Sequence, residues 1–459
     1  MTITPSFIDL FSLKETSPPN FFRSYREITE SSDRNPYSHF IRRAWESMYL
    51  SGIFCIDQKP TIYFKVVEQF DSDQIRILHR QLWNQGIATL LVVVSPENVY
   101  VYSGLAYPAK DQEKIDEGNR LVEILNITAD ALELRQFIQR VETGQIYRDK
   151  RECFKPDRMV DRYLLENLGK ARDLLYDCGG LYYSEIHRLI GRIIFTCYLH
   201  DREIINGDMF SEAGATNVST LRDLLNNYDP EHAKRILYNL FELLQEYFNG
   251  SMFDDATIEE KSKISKNHIE IIRRFLNGEE LSTGQLTFGF WVYDFKIIPI
   301  EAISAIYEDF LSAESVEGQK NIGAYYTPKH LAEMVVDIAT ENWDSLMDKK
   351  ILDPACGSGI FLVIIFNRIA EEWRHRNPNV KNIKRARALI EILQNQLCGI
   401  DVKETACKIA CFSLYLALLD QLKPRDIPML KERYGCKPHF CVICNLEYFP
   451  PFLNFSAHV

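Results

Sequence analysis

The chain has 459 residues, 46% of them apolar and 25% charged, with a formal net charge of −11. That length suits two to four domains, and the composition is that of an ordinary soluble globular protein. An acidic balance excludes a surface that is basic overall, the usual means of gripping phosphates, so any grip on nucleic acid has to come from clustered basic residues or from another part.

No run of about 18 uncharged apolar residues occurs, so no membrane span is expected. The opening MTITPSFIDLFSLKETSPP lacks a basic start followed by an apolar core. No signal peptide is read there, and a cytoplasmic location is expected.

Residues 1–112 mix helix and strand signals and are expected to form an α/β domain. Pro60–Val67 and Ala88–Ser95 read as strands, the second almost wholly apolar and therefore buried on both faces. Asp73–Gly86 has helical spacing and ends at a glycine, a normal C-terminal stop. Glu97–Gly104 alternates after the Ser95-Pro96 break and reads as the second strand of a hairpin. A metal-dependent nuclease is the sharp hypothesis here. One large class of restriction nucleases places an acid and a Glu-x-Lys on adjacent strands around a metal. Asp57 followed by Tyr63-Phe64-Lys65 has that layout, but Tyr63 stands where the second acid belongs, and Glu46 and Glu68 are poorly placed to substitute. A degenerate or structural domain is expected, because a hard oxygen ligand is missing.

Residues 113–312 read as a helical domain. Ser184–Ile204 has apolar residues at three- and four-residue spacing. Leu221–Phe248 gives two helices broken near Pro230, and Ile300–Ser315 is a further amphipathic helix. His187, His200, His232 and His268 are scattered among these helices and are read as structural or exposed.

Of the eleven cysteines, Cys55, Cys197, Cys398, Cys407 and Cys411 lie in apolar runs, where a free thiol behaves as a small hydrophobe. Cys436, His439, Cys441 and Cys444 are spaced closely enough for zinc. Val442-Ile443 is a poor turn, however, and a strand over His439–Cys444 puts the last two cysteines on opposite faces. No metal site is expected. The basic run Arg374–Arg387 reads as a solvated connection.

The chemistry-bearing stretch is ILDPACGSGIFL, Ile351–Leu362. A parallel strand is expected to end at Asp353, a sharp turn to follow, and a helix to begin at Ile360. Gly357 and Gly359 remove side chains so that backbone can approach a ligand, at the carboxyl end of a strand where nucleotide-like ligands bind. The stretch is neither GxGxxG nor a phosphate loop. Asp353 would repel a pyrophosphate and suits a ligand with positive charge, such as S-adenosylmethionine. The next strand, Leu397–Asp401, ends in an acid able to hold both ribose hydroxyls, and a helix follows over Glu404–Asp420.

This stretch resembles the cofactor motif of the adenine-specific DNA methyltransferases of restriction-modification systems, of the gamma order. Gly323–Pro328, GAYYTP, resembles the motif preceding it, and Gly191-RIIF with Asp201-Arg202, Ile306-YEDFL and Trp83-NQGIA are similar to fused methyltransferase-restriction polypeptides. The resemblance implies an α/β chain with three parts: a mixed N-terminal domain (1–112), a helical middle domain (113–312), and the first half of a class I S-adenosylmethionine-dependent methyltransferase sheet (313–459). It implies that Tyr325 and Thr327 lie near the methionine end of the cofactor, that Asp353, Ala355, Gly357 and Gly359 line it, that Asp401 binds the ribose, and that Asn445 contacts the adenine ring. The family's catalytic Asn/Asp-Pro-Pro-Tyr/Phe is not found after Asn445; Pro450-Pro451-Phe452 is too close and is preceded by Phe449. The implied function is N6-methylation of adenine in double-stranded DNA, with this chain as an amino-terminal portion inactive alone and no catalytic residue assigned. A C-terminal polypeptide is the expected partner. The other readings are a non-catalytic cofactor-binding subunit of a defence complex and a methyltransferase acting on small molecules or proteins; GAYYTP and the helical stretch before it count against the latter.

Overall fold

The computed structural model describes residues 6–13, 20–30, 35, 37–110, 113–248, 257–277, 293–300, 327, 329–380, 382–422 and 441–444. The chain divides into two units, residues 1–163 with 292–298, and residues 164–291 with 299–459. The expected helix Ile300–Ser315 and the GAYYTP segment, Thr327 excepted, lie outside the described residues.

The first unit is built on one sheet of six strands in sequential order: β1 (Phe21–Phe22), β2 (Gly52–Ile56), β3 (Lys59–Val66), β4 (Leu90–Val94), β5 (Asn98–Ser103) and β6 (Leu121–Asn126). Only β3 and β4 pair in parallel, because the helix α2 (Ser72–Gln85) crosses over between them; the other pairs are antiparallel. Each strand sends alternate residues to opposite faces. Leu90, Val92 and Val94 join Phe54, Ile62, Phe64 and Val101 against the helix α3 (Ala131–Glu142), through its Leu134, Phe137 and Ile138. Leu91 and Val93 join Ile53, Cys55, Tyr63 and Tyr102 on the other face, under α2 and the helix α1 (Ser38–Met48). With both faces covered, LLVVV carries no polar position. The sheet continues beyond residue 112. Leu121-VEILN is too short to announce itself within a helical stretch, and its pairing with β5, Val101 opposite Glu123, makes it a strand.

Helix α2 is closed at both ends by its own sequence. Asp71 accepts from the amides of Asp73 (2.9 Å) and Gln74 (3.3 Å), and Gly86 takes the left-handed turn at φ +65°. Its last residues gather distant chain. Trp83 is fully buried, its ring centroid 6.0 to 6.4 Å from those of Tyr107, Tyr163 and Tyr293, and its indole N–H donates to the Arg158 carbonyl at 2.8 Å. Asn84 accepts from the Asp294 amide at 2.9 Å, and Gln85 donates to the Phe40 carbonyl at 2.9 Å. The WNQG run is thus a structural knot that ties residues 293–298 to this unit.

The second unit begins with helices. These are α4 (Val160–Asp177), α5 (Tyr183–Asp201), α6 (Leu221–Asn227), α7 (Pro230–Phe248), α8 (Thr257–Lys263) and α9 (Lys266–Asn277), and in α5, α6 and α7 the apolar spacing read from sequence is realised. The expected break falls just before Pro230, which opens α7: Asp229 caps the amides of Glu231 (3.1 Å) and His232 (3.2 Å), and proline occupies the first helical position, where no N–H is needed. Arg192 on α5 is wholly buried with Glu260 of α8, which also accepts from the Tyr238 hydroxyl, and its guanidinium lies 5.2 Å from the Phe241 ring.

Three parallel strands follow in the order β7 (Ile351–Asp353), β8 (Leu397–Asp401) and β9 (Cys441–Cys444), with Asp353 opposite Gly399 and Asp401 opposite Cys444. The helices α10 (Lys329–Thr340), α11 (Ile360–Arg376), α12 (Asn382–Asn395) and α13 (Glu404–Asp420) accompany them.

Candidate functional site

The candidate site lies where β7 and β8 end side by side. The chain leaves β7 at Asp353, turns through Pro354–Ser358, and enters α11 from Gly359. Gly357 and Gly359 have φ of +51° and +84°, a region costly for residues with a side chain. A Cβ on Gly359 would lie 3.1 Å from that of Ala410 on α13, and one on Gly399 would lie 2.9 Å from Leu362 and 3.0 Å from the Cys356 sulfur. Glycine is therefore favoured at 359 by backbone and packing together, and at 399 by packing alone.

Backbone bonds hold the turn against β8. The Cys356 amide donates to the Ile400 carbonyl at 2.8 Å, and the Gly359 amide to the Cys356 carbonyl at 2.7 Å. Asp401 joins the two strand ends. One carboxylate oxygen accepts from the Gly357 amide at 3.1 Å, and the other accepts from the Lys403 amide at 2.8 Å. A carboxylate has about four acceptor positions, so capacity remains for a diol.

Asp353 is held differently. Its Oδ1 accepts from the Ala355 amide at 3.1 Å, while Oδ2 is buried with no donor among the described residues. Burial raises its pKa above the ordinary carboxylate value, the Ala355 amide opposes the shift, and the nearby Asp401 charge adds to it. A buried anionic oxygen without a donor, next to a second carboxylate, is complementary to a cationic N–H group. Burial, with Asp353 next, also pushes the Cys356 thiol up, so it stays protonated and acts as filler under the turn.

The residues named from sequence are partly brought together. Asp353, Ala355, Gly357 and Gly359 lie along one turn, with Ala355 on its exposed lip, and Asp401 braces that turn from the end of β8. Thr327 is half-buried two residues before α10; Tyr325 and Asn445 lie outside the described residues. Sequence reading passed over Val402, whose side chain is 87% exposed directly beside Asp401. An apolar residue immediately after a strand-end acid is the signal that was available.

The metal-site layout in the first unit does not assemble. Asp57 and Gln58, both at positive φ, form the two-residue turn between β2 and β3. Lys59 to Lys65 spans about 20 Å of extended chain, so Asp57 and Lys65 lie at opposite ends of the hairpin. The residue facing Tyr63 is Ile53. Tyr63 is buried with its hydroxyl on Gln85, and Lys65 donates to the carbonyls of Met48 (3.3 Å) and Tyr49 (2.7 Å), a positive charge at the end of α1. Glu46 pairs with Arg42 on α1. Among the described residues no group of three or more His, Cys, Asp or Glu is placed to hold a metal. Of the other candidate cluster, Cys436 and His439 lie outside the described residues and Cys441–Cys444 is β9. In the basic run, Arg374 binds Gln421, Arg376 binds Glu372 and Arg387 binds Glu391.

Residues 299–423 match the family model of N-6 DNA methylase. A putative type II restriction enzyme and methyltransferase of Methanocaldococcus jannaschii, RM.MjaORFECS2P, is 23% identical over 57% of this chain and 26% of its own length. The type II methyltransferase M.MamI of Microbacterium ammoniaphilum is 26% identical over 39% of this chain and 53% of its own. The chain thus spans about a quarter and about half of these two relatives. Among solved structures, the type IIL restriction-modification enzyme MmeI in complex with DNA is 18% identical over 61% of this chain and 39% of that one, with a TM-score of 0.32. Residues 299–423, which carry both strand-end acids and the glycine turn, are thus similar to the N-6 DNA methylases, and the two relatives are type II restriction and modification enzymes.

Proposed function

We propose that this unit binds S-adenosylmethionine and serves N6-methylation of adenine in double-stranded DNA within a restriction-modification system. One observation carries the reading: the buried Oδ2 of Asp353, with no donor among the described residues, lies beside a glycine turn braced by Asp401. The donor set fits the cofactor. Asp353 would take its ammonium, the free acceptor positions of Asp401 its ribose hydroxyls, and Val402 the face of its adenine, while Gly357 and Gly359 leave room for close approach. Tyr325 and Thr327 are assigned to the methionine end and Asn445 to the adenine ring by the family resemblance. The cofactor supplies a methyl group on a sulfonium. This chain's own residues hold and orient it.

No Asn/Asp-Pro-Pro-Tyr/Phe run occurs among the 459 residues. No residue among these 459 is therefore assigned to engaging the target adenine. The first unit is assigned a structural role, since Tyr63, Ile53 and Lys65 are committed to packing and to the end of α1. No described helix is long and apolar enough to cross a membrane.

Calorimetric titration with S-adenosylmethionine tests the reading. Two charge-assisted bonds from Asp401, each worth about 1.5–3 kcal/mol, predict at least about tenfold weaker binding for Asp401→Ala. Equal affinity of this variant and the parent would sink the assignment.

A further inference from the structure

We infer that α5 of the helical region positions the cofactor site, acting through α13, with Arg202 and Tyr198 as its positioning residues. This rests on the cofactor reading above. Three contacts join the two helices over the last turns of each. The Tyr198 hydroxyl, buried, donates to the Leu416 carbonyl at 3.1 Å. The Phe195 and Phe412 rings meet edge to face at 5.1 Å. Arg202, the residue that closes α5, forms an ion pair with Asp420, the last residue of α13, with Asp420 2% exposed and Arg202 10%. The Arg202 guanidinium also lies 4.6 Å from the Tyr198 ring, so the pair and the aromatic contact support one another.

The opposite half of α13 touches the site. Ala410 leaves only glycine's width at position 359, and the Cys407 thiol points at the Asp401 carbonyl, 3.7 Å away. The far end is also bound to α11, the helix that grows out of the glycine turn: Gln421 donates to Asn367 at 3.2 Å and accepts from Arg374 at 2.7 Å. Helix α13 therefore works as a bar. Ala410 and Asp420 are separated by about 15 Å of helix at 1.5 Å per residue, and a packed helix shifts as a body. An axial slip at the Arg202 end reaches the turn at Gly359 and the acid at Asp401, where the clearance is least. Apolar packing alone would hold the helices together without fixing that axial position; a buried ion pair and a hydroxyl–carbonyl bond are directional.

The test uses the full chain, titrated with S-adenosylmethionine at a temperature where circular dichroism shows parent and variants folded. Arg202→Met is expected to weaken binding at least fivefold, Arg202→Lys to recover part of that loss, and Tyr198→Phe to weaken binding about twofold. A purely structural role would lower the unfolding midpoint and leave affinity in the folded range unchanged; that result in Arg202→Met overturns the inference. If Arg202→Met does not fold, Tyr198→Phe, which removes one hydroxyl, decides in the same way. If the parent itself binds no cofactor, the cofactor reading fails and the inference falls with it, whereas a binding parent with unaffected variants refutes the inference alone.

Discussion

Asp353→Asn separates the cost of the site from its use. In the ligand-free protein Asp353 is half-buried, its Oδ2 is buried with no donor among the described residues, and the carboxylate lies beside Asp401. An unsatisfied buried acceptor costs about 1–3 kcal/mol, and more when charged. Asparagine keeps an acceptor in place and removes the charge, so a gain at the low end, about 1 kcal/mol, is expected at pH 7, or roughly 2–4 °C in the midpoint. The sign with pH follows from the raised pKa. The folded state binds the proton more tightly than the unfolded chain does, so the penalty is complete above the folded pKa. It is relieved as pH falls through that value and is absent below the ordinary aspartate value near 3.8. The stability advantage of Asp353→Asn should therefore shrink on acidification. Cofactor affinity should move the other way, falling about ten- to hundredfold for loss of one charge-assisted contact. Denaturant unfolding of both proteins between pH 7 and pH 4, with calorimetry at pH 7, supplies every quantity. A variant less stable than the parent at pH 7, or an advantage that grows in acid, would refute the electrostatic account.

The remaining predictions are local. Gly359→Ala should cost about 1–3 kcal/mol, from a positive φ and a Cβ pressed on Ala410; adding Ala410→Gly should recover the steric part only, and a Gly359→Ala protein as stable as the parent would contradict the geometry. Plasmid incubated with the chain and magnesium or manganese should stay intact, and linear product lost on mutating Asp57 or Lys65 would overturn the structural assignment of the first unit. Lys65→Met should instead lower stability, by about 0.3–1 kcal/mol for a cation at the end of a helix, as read from denaturant midpoints.

The glycine turn was legible because its constraints are local: a strand-end acid, two small-residue gaps and an apolar helix lie within a dozen residues. Helix α13 and β8 were read to their ends for the same reason, since periodicity and the bounding acids, Asp401 and Asp420, coincide with the element limits. What was not legible depended on partners remote in sequence. The WNQG run at Trp83 carries no local sign that it receives residues 293–298. Tyr63 reads as a lost catalytic acid until Gln85 and Ile53 are seen on either side of it. Strand β6 is decided by its pairing with β5, and the role of Arg202 by an aspartate more than two hundred residues on.

The aromatic cluster around Trp83 has a topological consequence. Tyr163, where the chain leaves the first unit, and Tyr293, where it returns, have ring centroids 6.2 Å apart. The helices between them form an excursion whose two ends meet, so the first unit is closed by a loop of about 130 residues. Closing such a loop costs about 3 kcal/mol more than closing one of about six residues. Replacing the excursion by a short glycine–serine bridge should therefore tighten, not loosen, the seat of residues 293–298. The same arithmetic weakens the hold on those residues when the helices melt, just upstream of residue 299, where the match to the family model begins.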